Sequence, residues 1–140
     1  MNPPVVWGAS VLLAGCTLVI DYNHQPISSA NEIIAASHAP YRNVEFGNHI
    51  RLVGAEAVAM RDGIRLSFVW RKQKDLERAR FLHLCDENGK IVLQLPPEKD
   101  LFDEANFSEL FVETLLLPND RLSDPKIVSV GIGFYSAKEN

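Results

Sequence analysis

Cysteine is scarce in this chain: Cys16 and Cys85 are the only two. They stand in no C-x-x-C spacing, so a paired-cysteine zinc site or redox motif is excluded, and by themselves they set no redox compartment. Basic residues are also outnumbered, with 14 Lys and Arg against 18 Asp and Glu and a formal net charge of −4. Phosphate binding needs clustered Lys and Arg, so no nucleic-acid partner is expected. Arg71, Lys72 and Lys74 are interleaved with Asp75 and Glu77 and read as a solvated connection between hairpins. The chain has no G-x-S-x-G, no Walker pattern and no EF-hand loop, and no residues fall into a catalytic constellation or imply a cofactor. Internal repeats and low-complexity tracts are missing as well. No apolar run is long enough for an ordinary membrane span. The uncharged stretch Val5 to Ile20 makes a helix of roughly 24 Å, short of the ~30 Å hydrocarbon core.

That stretch is still the candidate for attachment to a membrane. Nothing charged precedes Asp21, Pro3-Pro4 suits a helix start and Trp7 suits an interface. Residues 1–22 are therefore expected to form an apolar N-terminal helix, as a short span, a signal-peptide core or a buried helix. Its end, Leu13-Ala14-Gly15-Cys16, resembles the lipobox of bacterial lipoprotein signal peptides, and by that resemblance Cys16 is the candidate for lipidation. Residues 23–44 read as a connector. Within it Ser29-Ala30-Asn31-Glu32 fits a capping box, with a short helix over Ile33 to Ala36 that Pro40 ends.

From residue 45 to 140 the pattern is all-β. Arg61-Asp62-Gly63 separates the apolar run Ile50 to Met60 from Ile64 to Trp70, and Asn88-Gly89 separates Phe81 to Cys85 from Ile91 to Leu95. Asp-Gly and Asn-Gly suit two-residue type I′ turns, where both central residues take φ > 0. Ile64, Leu66, Phe68 and Trp70 alternate with Arg65, Ser67 and Arg71, the pattern of a half-buried strand, while Ala79 to Cys85 and Ile91 to Leu95 are apolar at both phases, as buried central strands are. Pro96-Pro97 stops the fourth strand. Glu98 to Glu109 is an acidic loop with Phe102 and Phe107 as anchors. Leu110 to Leu117 and Lys126 to Tyr135 complete the set. About six strands joined by hairpins and one long loop predict an antiparallel β-sandwich, immunoglobulin-like or jelly-roll-like.

Isolated residues invite chemistry, and most have a plainer role. His83 and Cys85, two apart on a strand, share a face and could ligate a metal, but His24, His38 and His49 stand in no spacing that recruits them. Asp100, Asp103 and Glu104 lack the calcium-loop pattern. Trp70 and Tyr135, with His83, are the candidate ligand platform, since a flat ring suits a sugar face; both rings fall at core-facing positions, which favours packing. Gly131 and Gly133 alternate in the last strand, as where a neighbour approaches closely.

Several pieces occur in a telling order: Phe46-Gly47-Asn48-His49-Ile50-Arg51-Leu52-Val53-Gly54, Phe81-Leu82-His83-Leu84 with Asp86 and Asn88-Gly89, Gln94, and Val130-Gly131-Ile132-Gly133-Phe134-Tyr135. Over residues 45–135 this resembles the soluble C-terminal β-sandwich of bacterial membrane glycosyltransferases similar to dolichyl-phosphate-mannose–protein mannosyltransferases. The catalytic acidic residues of such transferases lie in their multi-helix membrane part. The resemblance thus implies a non-catalytic accessory domain, membrane-attached on the periplasmic side, binding a glycan or an envelope protein. Two alternatives stand beside it: a structural envelope lipoprotein, and a small hydrolase or transferase using His83 with the acidic-loop carboxylates.

Overall fold

The computed structural model describes residues 16–22, 29–37, 43–121 and 126–135. Two four-stranded antiparallel sheets enclose one core, a β-sandwich-like arrangement. The first sheet has the order β1-β8-β5-β6, with β1 Cys16–Val19, β8 Ser129–Tyr135, β5 Ala79–Cys85 and β6 Ile91–Gln94. The second has the order β2-β3-β4-β7, with β2 Val44–Phe46, β3 Ile50–Met60, β4 Gly63–Lys72 and β7 Leu110–Pro118. Two short helices accompany them, α1 Ala30–Ala36 and α2 Asp100–Glu104. Leu82, Leu84, Val130, Ile132 and Phe134 of the first sheet meet Phe46, Leu52, Leu66, Phe68 and Trp70 of the second in a single apolar cluster. Each strand sends alternate residues there, which is the pattern a strand with one buried face must have.

The expected N-terminal helix does not extend to Ile20. Cys16–Val19 is a strand, hydrogen-bonded to β8 with Cys16 opposite Ile132 and Val19 opposite Ser129. The reason lies in the side chains. Thr17, Val19 and Ile20 are β-branched, and Leu18 and Ile20 alternate inward into the core while Val19 faces out. Ile20 then donates to Val128, and Asp21 exchanges main-chain hydrogen bonds with Ala57 and Ala59 of β3. Residues 16–21 therefore belong to the sandwich, not to an anchor ahead of it. The remainder of the uncharged run, with Pro3-Pro4, Trp7 and most of the lipobox, lies outside the described residues, as do His24, His38 and Pro40.

The serine half of the capping box is formed, and the glutamate holds the serine hydroxyl rather than its main-chain N–H. Ser29 Oγ accepts from the Glu32 amide at 3.1 Å and donates to Glu32 Oε1 at 2.7 Å. At the other end Ser37 Oγ donates to the Ile33 carbonyl at 2.6 Å and accepts from the Ala55 amide at 2.9 Å, which fastens α1 to β3. A side chain at Gly54 would press on Ile34 of this helix, so the glycine marks a close approach. Val44, expected as the last residue of the connector, is already the first residue of β2 and opens the second sheet with Glu45 and Phe46.

Both hairpins exist, with turns of a different kind from those expected. Met60 pairs with Gly63, so Arg61 and Asp62 are the turn residues, and neither has positive φ. Gly63 is required for another reason: a Cβ there would collide with the Leu117 carbonyl of β7. In the second hairpin Gly89 donates to the Asp86 carbonyl at 3.0 Å and has φ +78°, while Asn88 is not left-handed. That is a turn closed by one left-handed residue, not a type I′ pair. Asp86 Oδ1 braces it by accepting from the Asn88 and Lys90 amides. Space around Gly89 is open, so Gly89→Val should cost backbone strain alone, about 1–3 kcal/mol. Urea unfolding of the variant checks this, and unchanged stability would contradict it.

Three further expectations change. β6 is an edge strand and only half-buried, unlike the central β5. Of the two loop anchors, Phe102 is buried against Trp70, Phe111 and Phe134, but Phe107 is 54% exposed. Lys72, expected in a solvated connection, is buried. Its ammonium donates to the carbonyls of Asp103 and Ala105 at the end of α2 and sits 5.2 Å from the Phe107 ring centroid. A cation at a helix C-terminus is electrostatically favoured.

Candidate functional site

The three platform residues do not form one surface. Trp70 is 0% exposed in the core, ringed by Phe46, Phe68, Phe102 and Phe134 at centroid distances of 5.3–6.0 Å. Tyr135 and His83 share the other face of the first sheet: Tyr135 stands opposite Ala79, His83 opposite Gly131, and Gly133 lies beneath the Phe81 ring. They are 5% and 7% exposed. The Phe81 and His83 rings stack at 4.6 Å, and His83 Nε2 has no partner among the described residues.

Burial alone lowers the His83 pKa below its ordinary 6.5, whereas a carboxylate within reach would raise it. Of the acidic-loop carboxylates, Asp103 is paired with Lys99 at 2.7 Å. Cys85 Sγ lies 3.8 Å from the His83 carbonyl, and among the described residues no three His, Cys, Asp or Glu gather as for a metal ion. Cys16 begins β1 and packs partly on the core; burial pushes its thiol up to about 11. Among the described residues no helix is long and apolar enough to cross a membrane.

The lowered His83 pKa has a sign. The folded state holds the ring neutral between Phe81, Gly131 and Gln94, while the unfolded chain takes a proton below about 6.5. Stability should therefore fall as pH drops through that value and level off below the folded-state pKa. Unfolding free energies at about pH 8 and pH 5 should differ less in His83→Phe than in the wild type. An equal difference in both would contradict it.

The feature that sequence reasoning missed lies where β7 borders β5. Glu113 of β7 and Arg80 of β5 both point into the sandwich and pair across the two sheets. Glu113 Oε1 accepts from Arg80 Nε and from Trp70 Nε1, each at 3.1 Å, and Oε2 accepts from Arg80 Nη2. Arg80 Nη1 has no partner among the described residues. Arg80 also lines a groove of about 390 Å³, walled by Leu95, Pro96 and Pro97 on one side and by β7 from Thr114 to Leu117 on the other.

No family model, curated protein or solved structure matches this chain. The site must be read from its own geometry, and the edge beside the groove is its most unusual part. β7 ends its sheet, and among the described residues no strand pairs with its other side. On its outer face Leu110, Val112 and Leu116 are 39%, 39% and 52% exposed. An edge strand is usually blunted by Lys, Pro or a bulge. This one has no cation, its single proline, Pro118, stands only at its last position, and its register with β4 is unbroken. An open, apolar edge of this kind is a pairing surface.

Proposed function

We propose that this chain is a non-catalytic accessory module, attached to a membrane on its extracytoplasmic side, that works by protein–protein contact through the free edge of β7. The observation that carries the proposal is the exposed aliphatic row Leu110, Val112 and Leu116 on an edge strand whose one proline stands at its very end, flanked by a groove. Contiguous apolar surface on a small protein marks an interaction site. A protein partner is favoured over a glycan because aliphatic side chains offer no stacking face for a sugar ring, and Trp70, Tyr135 and His83 are buried.

The cell-envelope setting is supported by the resemblance of residues 45–135 to the soluble domain of membrane glycosyltransferases. Attachment belongs to the same proposal and is assigned to the uncharged residues that precede Cys16, whose own side chain packs on the core. The immunoglobulin-like or jelly-roll-like description is carried likewise, supported by the two antiparallel sheets enclosing one core that both types share.

The test is Val112→Lys with Leu116→Lys. Both side chains are outward and exposed, so stability should change by less than about 1 kcal/mol. Detergent extracts of native membranes should hold the wild type in a species larger than one chain, and the double variant should run as a single chain with an unaltered melting temperature. Equal sizes for both would overturn the proposal.

A further inference from the structure

The partner at this edge can be specified from the main chain. Asn119 N donates to Asp62 O at 2.9 Å, and the register pairs Gly63 with Pro118. In an antiparallel ladder, hydrogen-bonded pairs alternate with non-hydrogen-bonded ones. Counting back from Asn119, residues 117, 115, 113 and 111 exchange hydrogen bonds with β4. Leu110, Val112, Thr114 and Leu116 therefore turn their N–H and C=O groups toward the open edge. Pro118, which has no N–H, sits at the same phase, where β4 asks for none.

We infer that the occupant of this edge is β7 of a second copy of the chain, paired antiparallel about a two-fold axis at Thr114, an inference that rests on the docking role proposed above. Thr114 is the midpoint of Leu110–Pro118, so this register overlaps the whole strand. It sets Thr114 against Thr114 of the second copy, Val112 against Leu116 twice, and Leu110 against Pro118. Threonine pairs and aliphatic pairs are favourable cross-strand neighbours. The Thr114–Thr114 and Val112–Leu116 pairs are hydrogen-bonded pairs by the phase above, so the main-chain groups of Val112, Thr114 and Leu116 are satisfied on both copies; Pro118, without an N–H, accepts from Leu110 but gives nothing back.

Neighbouring registers fare worse. Centring one residue earlier sets Glu113 against Glu113, and like charges directly opposite are destabilising. Centring one residue later leaves Leu110 without a mate and sets Phe111 against Asn119. In the Thr114 register the only charged residue of β7 stays turned inward, held by Arg80 and Trp70, and no charge lies on the face that joins. The second copy's Leu110 to Thr114 would run along Thr114 to Pro118, the part of the edge that the groove flanks. A self-complementary patch around a two-fold is the commonest way that soluble chains associate.

The test uses the full chain purified in mild detergent, in a background with Cys16→Ala and Cys85→Ala. Hydrogen-bonded cross-strand residues stand about 5.5 Å apart at Cα, within disulfide range. Thr114→Cys should form a covalent dimer under mild oxidation, at least about tenfold faster than Leu110→Cys, whose mate is Pro118. Sedimentation of the unsubstituted chain should give twice the chain mass at about 100 μM. A single-chain mass at that concentration, or equal oxidation rates for the two cysteine variants, would overturn the inference. If the chain is single in isolation but cross-links through β7 to a different protein in cells, the second copy is wrong and the docking role stands. If β7 cross-links to nothing, both fail.

Discussion

Glu113→Ala should destabilise the protein by about 3–5 kcal/mol, the cost of leaving one member of a buried ion pair uncompensated. Three donors lose their acceptor at once: Trp70 Nε1, Arg80 Nε and Arg80 Nη2. The guanidinium is 2% exposed and cannot turn to water without opening the contact between sheets. Removing both partners is a different experiment. Arg80→Leu with Glu113→Leu fills the space with apolar volume and removes the need for charge compensation, so most of the loss should be recovered. Urea unfolding of the wild type, the two single variants and the double variant gives the coupling directly. A single-variant loss below about 1 kcal/mol would mean the pair is solvated and does not bind the sheets together.

The second large effect is expected at Trp70. Its ring is fully buried and makes edge-to-face contacts with Phe102 at 5.3 Å and Phe134 at 5.5 Å, joining both sheets and α2. Trp70→Ala removes that contact surface and leaves a cavity, with an expected cost of about 3–5 kcal/mol. Trp70→Phe keeps most of the packing and loses the bond to Glu113, so its cost should lie nearer 1–3 kcal/mol. The gradation separates core packing from a ligand platform. A platform residue could be truncated with little loss of stability, and thermal unfolding of the two variants distinguishes the cases.

Sequence periodicity located β3, β4, β5, β6 and β7 because each is a long run between turn residues, and it placed Trp70 in the core through the alternation Ile64, Leu66, Phe68, Trp70. It failed at β1 for a physical reason. A strand of four residues shows barely two turns of a period-2 pattern, and inside an uncharged run that signal is submerged. It misplaced the first turn because Gly63 reads as a backbone requirement when the constraint is the nearby Leu117 carbonyl, contributed by a strand far along the chain. The ion pair was legible in part. Phe111, Leu115 and Leu117 set the inward phase of β7, and Glu113 falls on it; Leu82 and Leu84 set the inward phase of β5, and Arg80 falls on that. Two opposite charges at buried phases of separate strands are a reason to expect a partnership, because neither could be buried alone. That β7 lies at the open end of its sheet has no counterpart in the local pattern, since strand order is a property of the whole chain.

The contact role of β7 is tested most directly by a photoreactive amino acid placed at position 116 in the protein expressed in its native cells. Leu116 points outward at 52% exposure beside the groove, and position 87, in the tip of the other hairpin, serves as the reference. Illumination should yield a discrete protein adduct from position 116 and none from position 87. Of the adducts, a mass of twice the chain would identify the second copy. The absence of any protein adduct from 116, or the same adducts from both positions, would contradict a docking edge at β7.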